Sequence, residues 1–481
     1  MSPVPSAAPS LATTLADFAA ATSFAHLPEA VVDSVRDRML DTIGIALAAR
    51  AKGLGDAAES VARERTGAAV ATAIGGAELA TGEAAFVNGV LAHSLDFDDT
   101  HLPSVLHPSA SVVPACLATA EALGSTDRDT IAAIAIGIEV TVRLGLGGYS
   151  AGVNHFFERG WHATSICGTL GAAAGVARLR GLDATGIRDA IGIAASMAAG
   201  LLEANRSGGT VKRLHCGIAA RAGVEAAQLA TAGFTAPPSV LEGRFGFYRA
   251  YVDGNGDLDA VTAGLGDHWE LPGIHFKPYP ANHYTHAGID AALEIRGRRP
   301  IDASRITRIE LGTSAAALRT IGEPRQEKIR PQSGYHAQFS GPFTVATALL
   351  GGGGLGVWLD DFSDARAQDA TLLGLAARVE TFVDPASDER FPGAFSAVLR
   401  VRFDDGSVEE ARVMENRGGP ERPLSPAELR QKFTLDAELA LAPGASEALA
   451  DAVLAFGADP AASSPRDLMR RTLRGAADSW R

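Results

Sequence analysis

Residues 93–108, HSLDFDDTHLPSVLHP, concentrate carboxylates and imidazoles within one short stretch of the chain. The flanking sequences, FVNGVLA and SASVVPACLATA, are apolar and small. A solvated acidic run would lie in polar sequence, so these side chains are expected at the edge of a helical core. Acids and histidines in such a setting have shifted pKa values and can transfer protons. The segment therefore predicts acid–base chemistry.

Three further polar clusters follow in apolar or Gly/Pro-marked sequence. They are GWHATS at 160–165, TVKRLHCG at 210–217, and KPYP at 277–280 with His283 and His286. The chain has only five lysines, and Lys212 and Lys277 belong to these clusters. Lysine offers a compact point charge and can lose its proton, whereas arginine does neither. Two of the clusters therefore combine histidines with one of the few lysines of the chain.

Each of these residues also has a purely structural interpretation. Asp98 and Asp99 are compatible with helix capping or with a solvated turn, and His162 with capping a helix. Lys212 is compatible with an ion pair to a structural carboxylate. Single histidines, such as His101, are more often hydrogen-bonded residues without a chemical role. The four clusters together are harder to explain in this way than any one member.

Composition limits the class of partner. The 481 residues carry a net charge of −13, which argues against a nucleic-acid partner or a membrane surface. The three cysteines are widely spaced, which suits neither a disulfide framework nor a metal site. The first residues, MSPVPSAAPS, lack the features of a signal peptide. A cytoplasmic protein acting on a small molecule is expected.

The hydrophobic pattern predicts a mainly α protein with a smaller α+β domain. Up to about residue 260 the segments are rich in Ala, Gly, Leu and Ile, which is typical of closely packed helices. Alternation at 306–311 and 378–383, and a hairpin signal at 397–403 and 407–413 around Asp-Asp-Gly, predict strands. Helix signals return at Ser425-Pro426 and Ser464-Pro465. We therefore expect a helical domain of residues 1–267 and 421–481, and an α+β domain of residues 268–420.

The order of the polar motifs resembles the MmgE/PrpD family. The matching stretches are HSLDFDDTH…HPSA, GWHATSICGTLGAAAGVARL, VKRLHCGIAARAGVEAAQLATAGFTAP with LEGRFGF, and KPYP…YTHAGIDAA. The resemblance extends from about Leu15 to about Ser340. The family includes 2-methylcitrate dehydratase, cis-aconitate decarboxylase and iminodisuccinate epimerase. It implies a large all-helical domain with an α+β lid, a homodimer, and a site that needs no metal or other cofactor.

The resemblance also implies a set of site residues. Six residues match the polar motifs of the family: Asp96, Thr100, His107, His162, Lys212 and Lys277. His215, in the third motif, and Tyr335 are also expected to bind substrate. One departure is the stretch YHAQFS at 335–340, where many members have EAKFS.

Roles follow from the step that these reactions share, which is making or quenching a carbanion next to a carboxylate. His162 is expected to be the acid or base at carbon, and His107 its counterpart at a leaving hydroxyl or a substrate binder. The two motif lysines suit stabilisation of negative charge. Asp96 is expected to orient a histidine or lysine, and Thr100 to hydrogen-bond the substrate.

The expected function is that of a metal-independent lyase acting on a di- or tricarboxylate. Dehydration of a 2-methylcitrate-like hydroxy acid is the first choice, with cis-aconitate-type decarboxylation or iminodisuccinate-type epimerisation as alternatives. The run Asp96-Phe97-Asp98-Asp99 also suggests a magnesium-dependent diphosphate enzyme, although no second acidic motif follows. A non-catalytic carboxylate binder is the remaining alternative.

Overall fold

The computed structural model describes residues 9–204, 209–458 and 464–473. Its contacts divide the chain into two compact units. The first consists of Met1–Ser94, Ser104–Gly273 and Phe433–Arg481, and the second of Leu95–Pro103 and Ile274–Lys432. The polar segment 93–108 is therefore divided, because its residues 95–103 belong to the second unit. The domain boundaries expected from the sequence, at residues 267 and 420, place the whole of this segment in the helical domain.

The first unit is built from helices with two short hairpins. The helices up to residue 252 are α1 (Leu11–Ala21), α2 (Glu29–Ala51), α3 (Asp56–Arg63), α4 (Thr81–His93), α5 (Ser109–Leu123), α6 (Asp127–Leu146), α7 (His155–Glu158), α8 (Ala163–Leu179), α9 (Ala184–Met197), α10 (Val211–Thr231) and α11 (Phe247–Val252). The hairpins pair β1 (Ala71–Thr72) with β2 (Glu78–Leu79), and β3 (Tyr149–Ser150) with β4 (Val153–Asn154).

Glycines allow these helices to approach closely. A Cβ atom on Gly89 of α4 would lie 2.8 Å from the carbonyl oxygen of Cys216 in α10, and one on Gly217 would lie 2.5 Å from the carbonyl oxygen of Phe86. Likewise, a Cβ on Gly223 of α10 would lie 2.5 Å from the Ala172 side chain in α8. Helix α10 therefore packs on both α4 and α8 with backbone contacts that a larger residue would prevent. This agrees with the predicted packing on small residues.

The second unit combines short helices with a four-stranded sheet. Its helices are α12 (His286–Arg298), α13 (Ala315–Ile321), α14 (Arg325–Ile329), α15 (Gly334–Ala337), α16 (Gly341–Leu350), α17 (Ala370–Ala376) and α18 (Pro385–Arg390). Its strands are β5 (Ile306–Thr313), β6 (Val379–Val383), β7 (Ala397–Phe403) and β8 (Val408–Val413), in the order β6-β5-β7-β8. Only the β5–β6 pair is parallel. Helices α12 and α16 share one core with the sheet, where Leu399, Val401 and Phe403 are buried.

The last three helices are α19 (Pro426–Ala437), α20 (Pro443–Leu454) and α21 (Pro465–Arg471), and the division between the units falls within α19. Helix α19 begins with the predicted capping box, because the Glu428 backbone N–H donates to the Ser425 hydroxyl and Glu428 accepts from the Ser425 backbone N–H. Ser464 caps α21 in the predicted way. No helix of the described ranges is both long and apolar enough to cross a lipid bilayer.

The predicted fold class is confirmed, and the elements differ mainly at their ends. The helix predicted at 185–205 ends at Met197, shortly before Gly200, whose φ of +140° does not fit a helix. The helix predicted from residue 215 begins at Val211, so Lys212 lies inside its first turn rather than before it. Both differences affect residues next to the predicted site.

Candidate active site

Four imidazoles of the first unit lie close together. His93 is the last residue of α4, His162 immediately precedes α8, and His215 lies in the second turn of α10. The His93 ring centroid lies 5.5 Å from that of His162 and 5.6 Å from that of His107, and the His162 and His215 centroids lie 5.0 Å apart. We call these four histidines and Lys212 the histidine cluster.

A hydrogen bond joins two of the rings directly. The Nδ1 atoms of His162 and His215 lie 2.9 Å apart, and both side chains are buried. The Ser165 hydroxyl donates to the carbonyl oxygen of His215 at 3.1 Å, which ties the start of α8 to α10. The His162 backbone N–H donates to the carbonyl oxygen of Gly200 at 3.0 Å. His162 occupies the N-cap position of α8, as its structural interpretation predicts, but its ring makes no capping hydrogen bond.

His107 is held by its backbone. Its N–H donates to the Thr164 hydroxyl at 3.1 Å, so the start of α8 positions both His107 and His162. Val105, two residues earlier, has a φ of +50°, which is strained for a β-branched residue. Gly145 of α6 permits this course of the chain, because a Cβ there would lie 2.3 Å from the Leu106 side chain. Such strain at a short loop is typical of a functional site.

Burial and neighbouring basic groups disfavour positive charge on two imidazoles of the cluster, those of His162 and His215. Burial, followed by the nearby His93, Lys212, His215 and His107, lowers the pKa of His162 well below its usual value. Burial, His93 and Lys212 lower the pKa of His215 to about 4. Both rings are therefore neutral near pH 7. Lys212 is itself buried in the first turn of α10, where the helix dipole disfavours a cation.

The second unit contains a tight turn held by two lysines. Asp96 has a φ of +53°, a left-handed conformation that aspartate tolerates better than most residues. Lys277 Nζ donates to the Asp96 carbonyl oxygen at 2.8 Å and lies 3.4 Å from its carboxylate Oδ1. Lys432 Nζ donates to the Phe97 carbonyl oxygen at 3.2 Å and lies 3.7 Å from the centroid of the Phe97 ring. All four side chains are buried, and we call them the lysine turn.

The residues after this turn are buried as well. Thr100 pairs with His275 through two backbone hydrogen bonds of 2.8 Å, so this part of the segment runs as a short antiparallel bridge. Asp98 and Asp99 are 3% and 2% exposed, which shows that the interpretation as a solvated turn is wrong. Both carboxylates are therefore shielded from bulk solvent.

The position that departs from the family pattern, Gln338, supports the same turn. Its side-chain amide donates to the carbonyl oxygens of Pro280 at 2.9 Å and Leu95 at 3.3 Å. Tyr335, one helical turn earlier, is half-buried, and its ring packs on Phe339 at a centroid distance of 5.3 Å. Its predicted contact with substrate stays a prediction.

Histidines of the second unit form their own buried group. The His283 and His286 ring centroids lie 4.5 Å apart, and the two nitrogens His283 Nε2 and Asn416 Nδ2 lie 2.9 Å apart. His286 Nε2 lies 3.1 Å from the Ala281 carbonyl oxygen. Burial and the charge of Lys277 lower the pKa of His286 to about 3. The His286 ring is therefore neutral near pH 7.

The predicted site residues thus fall into two groups. Those of the first unit form one cluster, and they are His107, His162, Lys212 and His215. In the second unit Asp96 and Lys277 form an ion pair. Sequence reasoning missed His93 and Lys432. A signal existed for each, since His93 opens the first motif and Lys432 is one of only five lysines.

Chemically, the two groups differ in what they offer. The histidine cluster supplies two neutral imidazoles, those of His162 and His215, near Lys212, an arrangement suited to moving a proton. The lysine turn supplies buried ammonium groups, which suit carboxylates. The ammonium group of Lys277 already faces the Asp96 carboxylate, so the magnesium–diphosphate interpretation of this motif is not supported.

Comparisons with known proteins identify the same family over both parts of the chain. The model of the MmgE/PrpD N-terminal domain matches residues 13–257, and that of the MmgE/PrpD C-terminal domain matches residues 279–456. Human cis-aconitate decarboxylase is 32% identical over 358 residues, which is 74% of this chain and 72% of the human protein. Cis-aconitate decarboxylase of Aspergillus terreus is 29% identical, with coverage of 74% and 75%, and that of Mus musculus 31%, with 76% and 74%. The prediction of a lyase is supported, because decarboxylases are lyases.

Proposed function

We propose, since the chain belongs to the MmgE/PrpD family, that it decarboxylates cis-aconitate or a closely similar unsaturated tricarboxylate. The observation that carries the proposal is its similarity to cis-aconitate decarboxylases along about three quarters of its length. These relatives favour the decarboxylase alternative over the first choice made from the sequence, dehydration of a 2-methylcitrate-like acid.

Decarboxylation sets a defined chemical demand. As CO2 leaves a carbon next to the double bond, its electron pair spreads over the allylic system towards a carboxylate. One proton must then reach carbon to give an unsaturated dicarboxylate. A dry site with fixed positive charge stabilises the developing anion, and a positioned acid delivers the proton.

The histidine cluster suits the proton transfer. We assign the proton donor at carbon to His162, whose ring is buried and hydrogen-bonded to His215. Lys212, which lies close enough to lower the pKa of His162, supplies positive charge for the developing anion. His107 is assigned to substrate binding, because decarboxylation has no leaving hydroxyl that would need a second acid.

The lysine turn suits carboxylate binding. Lys277 is assigned to a substrate carboxylate, and the Asp96 carboxylate, 3.4 Å away, orients its ammonium group. Thr100, whose backbone is fixed by His275, is assigned a hydrogen bond to the substrate. Burial strengthens such charge contacts because the local dielectric constant is low.

Proton NMR of the purified protein with four acids tests this proposal. Cis-aconitate, 2-methylcitrate, citrate and iminodisuccinate are incubated separately, each with and without EDTA. The proposal predicts loss of CO2 from cis-aconitate alone, at the same rate with EDTA, and about 1,000-fold more slowly with His162→Ala. Loss of water from 2-methylcitrate or inversion of iminodisuccinate, without decarboxylation, would contradict it.

A further inference from the structure

The shared hydrogen bond of His162 and His215 restricts how the two rings carry their protons. Their Nδ1 atoms face each other at 2.9 Å. One Nδ1 must donate and the other accept, because two N–H groups or two lone pairs would repel. While both rings are neutral, they are therefore opposite tautomers: one carries its proton on Nδ1 and the other on Nε2.

The surroundings keep both rings neutral. His93 from α4, His107 from the segment before α5 and Lys212 from α10 all act against positive charge on His162. Burial acts in the same direction on both rings, and the pKa of His215 falls to about 4. Near pH 7 one proton therefore lies between the two Nδ1 atoms, a second is on Nε2 of the accepting ring, and neither ring is an imidazolium.

The proposed reaction fixes the direction of the bond. A neutral His162 can protonate carbon from Nε2 only if its Nδ1 is the acceptor. We propose that His215 is a positioning residue, which donates its Nδ1–H to His162 Nδ1 and so holds His162 as a neutral Nε2–H proton donor. This inference rests on the proposed decarboxylation, and it replaces direct substrate binding as the role of His215.

The proton balance closes around the pair. When His162 passes its Nε2 proton to carbon, the shared proton moves from His215 Nδ1 to His162 Nδ1, and His215 takes a solvent proton at Nε2. Both rings end neutral with their tautomers exchanged, and one solvent proton enters for each CO2 lost. The reverse shift between the Nδ1 atoms, with loss of the His215 Nε2 proton and uptake at His162 Nε2, restores the starting state. A neutral imidazole is a weak acid, but the carbanion is a strong base, as in enzymes that use neutral histidine electrophiles.

Nitrogen NMR tests the tautomers without any substrate. With ¹⁵N-labelled histidine, and His162→Gln and His215→Asn to assign the signals, we expect His215 to carry its proton on Nδ1 and His162 on Nε2 at pH 7. The reversed pattern, or an imidazolium on either ring at that pH, would overturn the proposal. Because no turnover is involved, this result is independent of whether the proposed function is correct.

Kinetics test the positioning role. His215→Leu should lower kcat about 100-fold while KM changes less than about twofold, because the proton donor and not the binding site is disturbed. His215→Asn should recover at least tenfold of this loss, since its amide N–H can donate from near the position of Nδ1. His155→Leu, a histidine of the first unit that contacts Ser150 instead, is the matched control and should retain full activity.

Two outcomes would contradict the role. A rise in KM without loss of kcat in His215→Leu would identify His215 as a substrate-binding residue. Equal loss of activity in the Leu and Asn variants, with unchanged circular dichroism, would show that the hydrogen bond does not position His162. Absence of decarboxylation by the unmodified protein would instead reject the proposed function, while the NMR result would still decide the tautomers.

Discussion

The histidine cluster and the lysine turn are both buried, yet they handle charge in opposite ways. In the first unit, burial and neighbouring basic groups keep His162 and His215 neutral. In the second unit, Lys277 lies beside the carboxylate and the backbone carbonyl oxygen of Asp96, both of which are suitable partners of an ammonium group. One region thus holds groups that can exchange a proton, and the other holds groups that anchor charge.

This difference in charge corresponds to two parts of the proposed reaction, which are proton transfer and carboxylate binding. The proton donor has to release a proton and regain one in each turnover, which the hydrogen-bonded pair of neutral rings allows. A group that binds a carboxylate works best when its charge is fixed, so a paired and buried lysine is suitable. Variants of His162 and His215 should therefore affect kcat, and variants of the lysine turn should affect kcat/KM through binding.

The largest effect is expected from His162→Ala. Loss of the proton donor should lower kcat about 1,000-fold, within the range known for general acid–base catalysis, while KM changes little. Release of CO2 from cis-aconitate measures it. His268→Ala is the control, because the His268 side chain is 72% exposed. A kcat within tenfold of the unmodified protein would remove His162 from the proposed mechanism.

A smaller effect is expected from Lys277→Met. Loss of a charge-assisted contact to the substrate should lower kcat/KM about 100-fold, mainly through KM. The variant also leaves the Asp96 carboxylate buried without its cation, which destabilises the protein. The double variant Asp96→Asn/Lys277→Met should recover stability but not activity. Recovery of both would show that the ion pair is purely structural.

A third, weaker effect is expected from Lys432→Met, which retains most of the aliphatic stem but loses Nζ. The Phe97 carbonyl oxygen loses a donor at 3.2 Å, so the turn next to Asp96 should be held less firmly. We expect kcat/KM to fall about tenfold, as for a lost hydrogen bond to a charged group. Lys52→Met, at an exposed lysine, is the control. Equal activity of the two variants would contradict the role of Lys432.

The smallest effect concerns stability against acid. His286 has a pKa of about 3 in the folded protein, whereas an unfolded histidine titrates near 6.5. Between these values the unfolded chain binds more protons, so the free energy of unfolding falls as the pH falls, by about 1.4 kcal/mol per pH unit for one such group. His286→Gln should therefore show a shallower pH dependence in urea unfolding between pH 6 and 4. An unchanged slope would show that His286 is not kept neutral by the fold.

Local patterns in the sequence predicted much of the fold. The hairpin at Asp404-Asp405-Gly406 and the capping box at Ser425 depend on residues that are close in the chain, and both are present. The motif residues of the first unit were also predicted to act together. Their hydrogen bond was not predicted, because ring orientation depends on how α8 and α10 pack across 53 residues.

The contacts of the lysine turn were even harder to predict, because its residues lie farther apart in the chain. Lys432 contacts Phe97 across 335 residues, and no local pattern around Lys432 indicates that contact. The grouping of Leu95–Pro103 with the second unit likewise depends on distant contacts, such as that of Thr100 with His275. The expected homodimer and cytoplasmic location stay predictions.

Turnover of cis-aconitate in D₂O tests the proposed decarboxylation most directly. The products are analysed by proton NMR and mass spectrometry, with CO2 measured in parallel. We expect one CO2 for each product molecule and one deuterium on a single carbon of that product, because His162 delivers one solvent-derived proton. Loss of water, isomerisation without CO2, or a product that has lost CO2 but gained no deuterium would contradict the proposed mechanism.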